Sequence, residues 1–330
     1  MTVIEEALDA DLPICDAHHH LWERAPNFYL LNDFRADLAT GHNVVATVAV
    51  ECGYGYRKSG ANELKPLGET EFLESIALQA RSDSTMTTCI ASAIVGFADL
   101  GLGDGVAAVL EAHLSVSQRF RGIRYSTTWD GSGALRNETP SGMLLDRRFR
   151  QGFAWLKKFN LTFDAWLYHP QLPELADLAR AFPDVNIIVN HIGAPLGVGP
   201  YAGKRDEVYR IWRRHMSSLA QYANIFVKLG GMGSVRSGYD WHERQIKPSS
   251  EELAENLKPY FETCIEQFGP ERCLFESNFP VEKAANSYRV LWNAYKRITS
   301  DYSAAERAAL FYGTAARVYR IEGIRAAPKQ

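Results

Sequence analysis

An excess of charge of either sign is missing from this chain: 36 Lys and Arg stand against 39 Asp and Glu, a formal net charge of −3 over 330 residues. Nucleic-acid-binding domains carry a basic surplus, so that class of partner is not expected. No run approaches eighteen apolar residues, which argues against a membrane-spanning helix. Residues 1–13 are acidic and have neither the basic start nor the apolar core of a secretory signal. Cysteine is scarce. Cys15, Cys52, Cys89, Cys264 and Cys273 are odd in number and contain no Cys-x-x-Cys pair. Neither a disulfide framework nor a thiolate zinc site is expected, and a reducing, cytoplasmic setting is. Two chemical signatures are absent as well. No G-x-G-x-x-G turn follows the first apolar run, against dinucleotide binding, and no G-x-S-x-G elbow supports a serine nucleophile.

What is present is ordinary folded composition, 46% hydrophobic and 23% charged. Short β-rich runs occupy 13–18, 44–51, 86–97, 120–125, 161–168, 185–190, 224–229 and 272–277. Amphipathic stretches long enough for helices lie between most of them, at 69–81, 105–116, 147–159, 172–182, 206–222, 251–268 and 284–298. Eight strands alternating with helices, after an irregular first crossover, predict an α/β fold of the (β/α)8 TIM-barrel type. The strands read as continuous apolar runs, as a sheet buried on both faces requires. No repeat or charge block marks a boundary, so residues 1–330 are expected to form one domain. Loops at 54–66, 129–142 and 231–250, rich in Gly, Ser and aromatics, are placed to cap a substrate site. Association into a homo-oligomer is compatible with such a barrel.

The first run ends Asp16-Ala17-His18-His19-His20-Leu21-Trp22. Strand side chains alternate, so His18 and His20 share a face, about 6.6 Å apart along the strand, and His19 points away. At the C-terminal mouth of a barrel both would face the axis, where two imidazoles can share a divalent metal or polarise an oxygen. His191 follows one apolar run and precedes Gly193-Ala194-Pro195; His169 follows another and precedes Pro170. Either alone reads equally as a hydrogen-bonded structural histidine. Together, His18, His20, His169 and His191 occupy the same end of three strands and suggest a shared site. Arg124 and Lys228 end the fourth and seventh runs, where they could hold an anionic substrate or pair with Glu51 and Glu276. Tyr54 and Tyr56 follow the second run and could touch a ligand or simply pack.

The same residues carry a resemblance. The Asp-x-His-x-His-Leu-Trp opening, with Phe120-Arg121-Gly122-Ile123-Arg124, Asn190-His191-Ile192-Gly193-Ala194-Pro195, Val227-Lys228-Leu229-Gly230-Gly231, Leu274-Phe275-Glu276-Ser277-Asn278-Phe279-Pro280 and Tyr312-Gly313-Thr314-Ala315-Ala316-Arg317, is similar in order to the amidohydrolase superfamily. Within it the chain most resembles the branch of sugar and pyrone lactonases (L-fuconolactonase-like and 2-pyrone-4,6-dicarboxylate lactonase-like). The resemblance implies a barrel that hydrolyses a cyclic ester of a small sugar acid or catabolic carboxylate. It also implies one divalent metal, zinc or manganese, on His18, His20 and His191, although metal-independent members make the absence of a requirement equally compatible.

One departure matters. The family ends strand eight with an Asp that binds metal and acts as base, and here that position holds Asn278. An amide does not take a proton from water at neutral pH. The carboxylate role is therefore expected at Glu276 or Glu51, with the structural alternative that Glu276 pairs deeper in the barrel with Lys228 or Arg124. The catalytic set so predicted is His18, His20, His169, His191, Glu276 and Asn278, with Glu51, Arg124, Lys228, Tyr54 and Tyr56 around the substrate. A decarboxylase of the same superfamily and a non-catalytic binding barrel are the competing readings.

Overall fold

The structure, a computed structural model, describes residues 5–25 and 27–322. Eight parallel strands follow in chain order: β1 (Ile14–His19), β2 (Val44–Val50), β3 (Cys89–Gly96), β4 (Phe120–Ser126), β5 (Thr162–Trp166), β6 (Ile187–Val189), β7 (Ile225–Leu229) and β8 (Cys273–Phe275). Each is followed by a helix: α1 (Leu31–Leu38), α2 (Leu67–Ser82), α3 (Val106–Val116), α4 (Arg147–Lys158), α5 (Leu172–Ala181), α6 (Arg205–Ala220), α7 (Ser250–Phe268) and α8 (Tyr288–Ile298). A short hairpin, Trp22–Arg24 against Asn27–Tyr29, precedes α1. The strands form a nearly closed (β/α)8 barrel. At its seam, Asn278 N–H donates to the His18 carbonyl at 2.8 Å and His20 N–H to the Phe279 carbonyl at 2.8 Å.

The apolar runs become strands because both of their faces are covered; all seven residues of β2 are buried. The inner face is lined mainly by small side chains, among them Cys15, Ala17, Ala46, Val48, Ala93 and Val95. Ala315, Val318 and Tyr319, from the segment after α8, pack into this inner cluster. The outer face meets the helices through a larger cluster that includes Phe120, Phe153, Phe163, Trp212 and Trp292. The Ser303–Glu306 capping box forms: Ser303 N–H donates to Glu306 Oε2 at 2.8 Å, and Glu306 N–H donates to Ser303 Oγ at 3.3 Å. No helix among the described residues is long and apolar enough to cross a membrane.

Several strands stop earlier than the sequence suggests. β5 ends at Trp166, β6 at Val189 and β8 at Phe275. The chain beyond them remains buried, as at Leu167, Tyr168 and Ile192, so apolar character continues after the ladder has ended. α8 begins at Tyr288, because Val281–Ala284 forms a separate 3₁₀ turn, and α1 occupies part of the crossover that seemed irregular. β1 carries a register shift between Asp16 and His19. Ala17 belongs to the inner cluster and His18 also turns inward, while Asp16 accepts from the Tyr288 hydroxyl of α8 at 3.0 Å. The shift delivers the His18-x-His20 pair to the barrel interior.

Candidate active site

Four strand ends meet at the floor. His18 and His20 approach with their Nε2 atoms 3.1 Å apart, and His20 Nδ1 donates to the Val50 carbonyl at 2.8 Å. His19 turns outward, reaching Thr47 Oγ1 at 3.0 Å and stacking on Phe34. Beyond β6 the chain enters a left-handed turn, with φ of 54° at His191 and 49° at Ile192, which swings the His191 ring over the floor. There His191 Nδ1 donates to Glu276 Oε1 at 2.5 Å, and the His191 backbone N–H reaches the same oxygen at 3.2 Å. The other oxygen, Glu276 Oε2, lies 2.9 Å from His18 Nδ1. It nevertheless has no hydrogen-bond partner among the described residues. Glycine makes room for this arrangement. A Cβ on Gly231, whose φ is +73°, would sit 2.4 Å from His191 Cγ, and one on Gly230 would sit 2.4 Å from Glu276 Cγ.

The cations nearest the floor are already paired. Lys228 is fully buried and donates to Asp164 Oδ1 at 2.6 Å, with His18 Nδ1 3.3 Å away on its other side. Arg124 donates through Nε to Glu51 Oε1 at 2.7 Å and through NH2 to the Glu51 carbonyl at 2.5 Å, leaving NH1 3.5 Å from His18 Nε2. Burial pushes His18 and His20 well below the ordinary imidazole range, and the nearby cations, chiefly Lys228 for His18 and Arg124 for His20, push the same way. Both effects favour the neutral ring.

Above the floor opens a cleft of about 570 Å³ lined by His20, Glu51, Tyr56, Arg124, His191 and Asn278, and walled by Trp22, Phe97, Tyr125 and Trp166. Three further arginines reach it. Arg136 pairs with Glu138. Arg24 donates to the Cys52 carbonyl and Arg236 lies over the Trp166 ring at 5.6 Å, and among the described residues neither pairs with a carboxylate.

A protein-family model described as amidohydrolase matches residues 15–321. This chain belongs to the amidohydrolase family. It is 33% identical over 335 residues to an uncharacterized protein, y4mH, of Sinorhizobium fredii, covering 94% of this chain and all of that one. It is 26% identical over 318 residues to an L-fucono-1,5-lactonase of Burkholderia multivorans, covering 93% and 95% of the two chains. Among solved structures, an amidohydrolase from Burkholderia multivorans with bound zinc superposes with a TM-score of 0.73 at 24% identity, over 94% of this chain and 99% of that one.

The donor set of this amidohydrolase-family site fits a divalent ion. Its His18, His191 and Glu276 place ligand atoms within 4.8 Å of one another, and all three are buried. His20 adds a third imidazole whose far nitrogen is fixed by a backbone carbonyl, the outer contact that orients metal-binding histidines. The unpartnered Glu276 Oε2 is an acceptor that a cation would satisfy.

The structure brings together His18, His20, His191, Glu276, Asn278, Glu51, Arg124 and, below them, Lys228. Glu276 meets the two histidines rather than Lys228 or Arg124. Two predicted residues stand elsewhere. His169 lies three residues past the end of β5, accepts from Leu196 N–H at 3.4 Å and lines a separate cavity of about 290 Å³ with Asp130 and Tyr201. Tyr54 turns to Phe72 and to Glu23, whose Oε2 its hydroxyl meets at 3.3 Å. Asp164, Trp166, Arg24, Arg136 and Arg236 were not anticipated. Of these only Asp164 left a signal, a carboxylate within a run otherwise buried on both faces.

Proposed function

We propose that this protein hydrolyses a lactone, or a related cyclic ester, whose acid portion carries a negative charge. The observation that carries the reading is the Glu276–His191 pair at the cleft floor. With Nδ1–H engaged by the carboxylate, His191 keeps a lone pair on Nε2, the tautomer a general base needs. His191 takes the proton of the attacking water as oxygen bonds to the lactone carbonyl carbon, and Glu276 stabilises the imidazolium that forms. The guanidinium of Arg124, held by Glu51 and presenting NH1, stabilises the oxyanion. When the carbon–ring oxygen bond breaks, His191 returns the proton to the departing oxygen, giving a hydroxy acid.

The remaining groups orient the substrate. Arg236 and Arg24, without carboxylate partners among the described residues, hold the substrate's negative charge, and Trp166 and Tyr56 flank it. Asn278, whose Oδ1 has no partner among the described residues, accepts from a substrate hydroxyl. A divalent ion, zinc or manganese, would be held by His18 with donors from among His20, His191 and Glu276, and it would supply Lewis acidity. His169 and Tyr54 take no part. The lactonase-named relatives support this chemistry. Five free cysteines agree with a reducing, cytoplasmic setting, and residues 1–330 are read as one domain.

The test is proton release, followed with a pH indicator, across a panel of sugar-acid lactones and pyrone carboxylates with spontaneous hydrolysis subtracted. Turnover of one scaffold that falls 10²–10⁴-fold in His191→Asn is expected. Turnover of a scaffold undiminished in that variant would overturn the assignment of the base.

A further inference from the structure

His18 has two nitrogens and one proton, and its neighbours compete for where that proton sits. Lys228 Nζ lies 3.3 Å from Nδ1. An ammonium has only donors, so this contact requires a lone pair on Nδ1. His18 Nε2 lies 3.1 Å from His20 Nε2. His20 spends its own proton on the Val50 carbonyl through Nδ1, so the proton between the two rings must belong to His18 Nε2. Both contacts select one tautomer, with the proton on Nε2 and the lone pair on Nδ1. Arg124 NH1, a competing donor toward Nε2, stands farther off at 3.5 Å. Glu276 Oε2 is 2.9 Å from Nδ1 and would accept a proton there, but no hydrogen bond is aligned between them.

That tautomer is the wrong one for a metal on the His20 side. An ion between His18 and His20 needs lone pairs on both Nε2 atoms. An ion on the other side, with Glu276 and His191, needs the Nδ1 lone pair that Lys228 already engages, and must approach a cation 3.3 Å from that nitrogen. Lys228 cannot move aside, because its anchor is fixed. Asp164 takes Lys228 at 2.6 Å, Asn190 Nδ2 at 3.0 Å and the Tyr319 hydroxyl at 2.9 Å, all buried. Tyr319 comes from the segment packed into the barrel interior.

We propose that Lys228, clamped by Asp164 and Tyr319, opposes divalent-metal binding at this floor, on the His20 side by holding His18 in the tautomer protonated on Nε2 and on the Glu276 side by its own charge beside Nδ1. A divalent ion on the His20 side would require the His18 proton on Nδ1 instead, the nitrogen that Lys228 Nζ faces at 3.3 Å and Glu276 Oε2 at 2.9 Å. Lys228 and Tyr319 are positioning residues that act through His18. The inference rests on the same floor as the proposed lactone hydrolysis and concerns what sets its metal affinity.

The experiment uses the full chain and Zn²⁺ alone, by equilibrium dialysis with elemental analysis, subtracting binding that persists in His18→Ala. Lys228→Met combined with Asp164→Asn removes both charges together and so avoids stranding a buried ion. We expect this pair to bind Zn²⁺ at least tenfold tighter than the unaltered chain; equal or weaker binding would overturn the proposal. A second readout needs no variant. Nitrogen-15 spectra of the metal-free protein should place the His18 proton on Nε2, and a proton on Nδ1 would overturn it equally. Neither measurement involves turnover, so failure of the lactone panel leaves the metal result to be judged alone.

Discussion

Glu282 is a fully buried carboxyl beneath the cleft. Its Oε2 accepts from Gly233 N–H at 2.7 Å, and its Oε1 has no partner among the described residues. Burial raises its pKa to about 8, against opposing hydrogen bonds from Gly233 and Asn278. The folded protein therefore holds a proton between pH 4.5 and about 8 that the unfolded chain has released. Where the unfolded state binds fewer protons, stability falls as pH rises. The melting temperature should drop between pH 5 and 8 and level off above that, and Glu282→Gln should flatten the drop. An unchanged slope in the variant would place the titrating group elsewhere. Residues such as Glu276 and His191 could be singled out from sequence because strand alternation and a strand-end turn are local signals. Arg236 could not, because it enters the cleft from a loop whose path depends on packing elsewhere, and Trp166 could not, because at the end of β5 an aromatic reads equally as packing.

At the level of elements, the turn after β7 shapes the site as much as the strands do. Gly230 and Gly231 bring this backbone against Glu276 and His191 with no space for a Cβ. Gly231→Ala adds both a left-handed strain and a 2.4 Å contact with the His191 ring. Displacing a base by about an ångström costs roughly a hundredfold. A loss of that size in kcat/KM is expected, with far-ultraviolet circular dichroism unchanged; near-normal turnover would mean that His191 is not where the chemistry occurs. The order of strands and helices could be read from the sequence because barrel strands are apolar on both faces and their helices are amphipathic. The strand ends could not. The buried turns beyond β5 and β6 extend the apolar pattern, and this carried His169 into a predicted site that the chain bends away from.

For the whole molecule, the joint between β1 and β8 decides whether the barrel closes. Besides two backbone bonds, it is held by Asp16, which accepts from Ser277 N–H at 2.8 Å, Ser277 Oγ at 2.6 Å and Tyr288 at 3.0 Å. Asp16→Ala leaves these buried donors without an acceptor. It should cost about 3 kcal/mol by urea denaturation, of the order found when a buried polar partner is removed. A loss below about 1 kcal/mol would show that the joint is carried by packing alone.

Asp16 and Ser277 are 261 positions apart. His18 lies beside the first, and Glu276 and Asn278 flank the second. On a ribosome adding about 5–20 residues each second, at least ten seconds pass between the emergence of the two halves of this floor. Over that interval the nascent chain displays paired histidines with no carboxylate to complete them. A cell producing this protein gains neither activity nor the His–Glu metal site from an interrupted translation product, however well its first strands have formed.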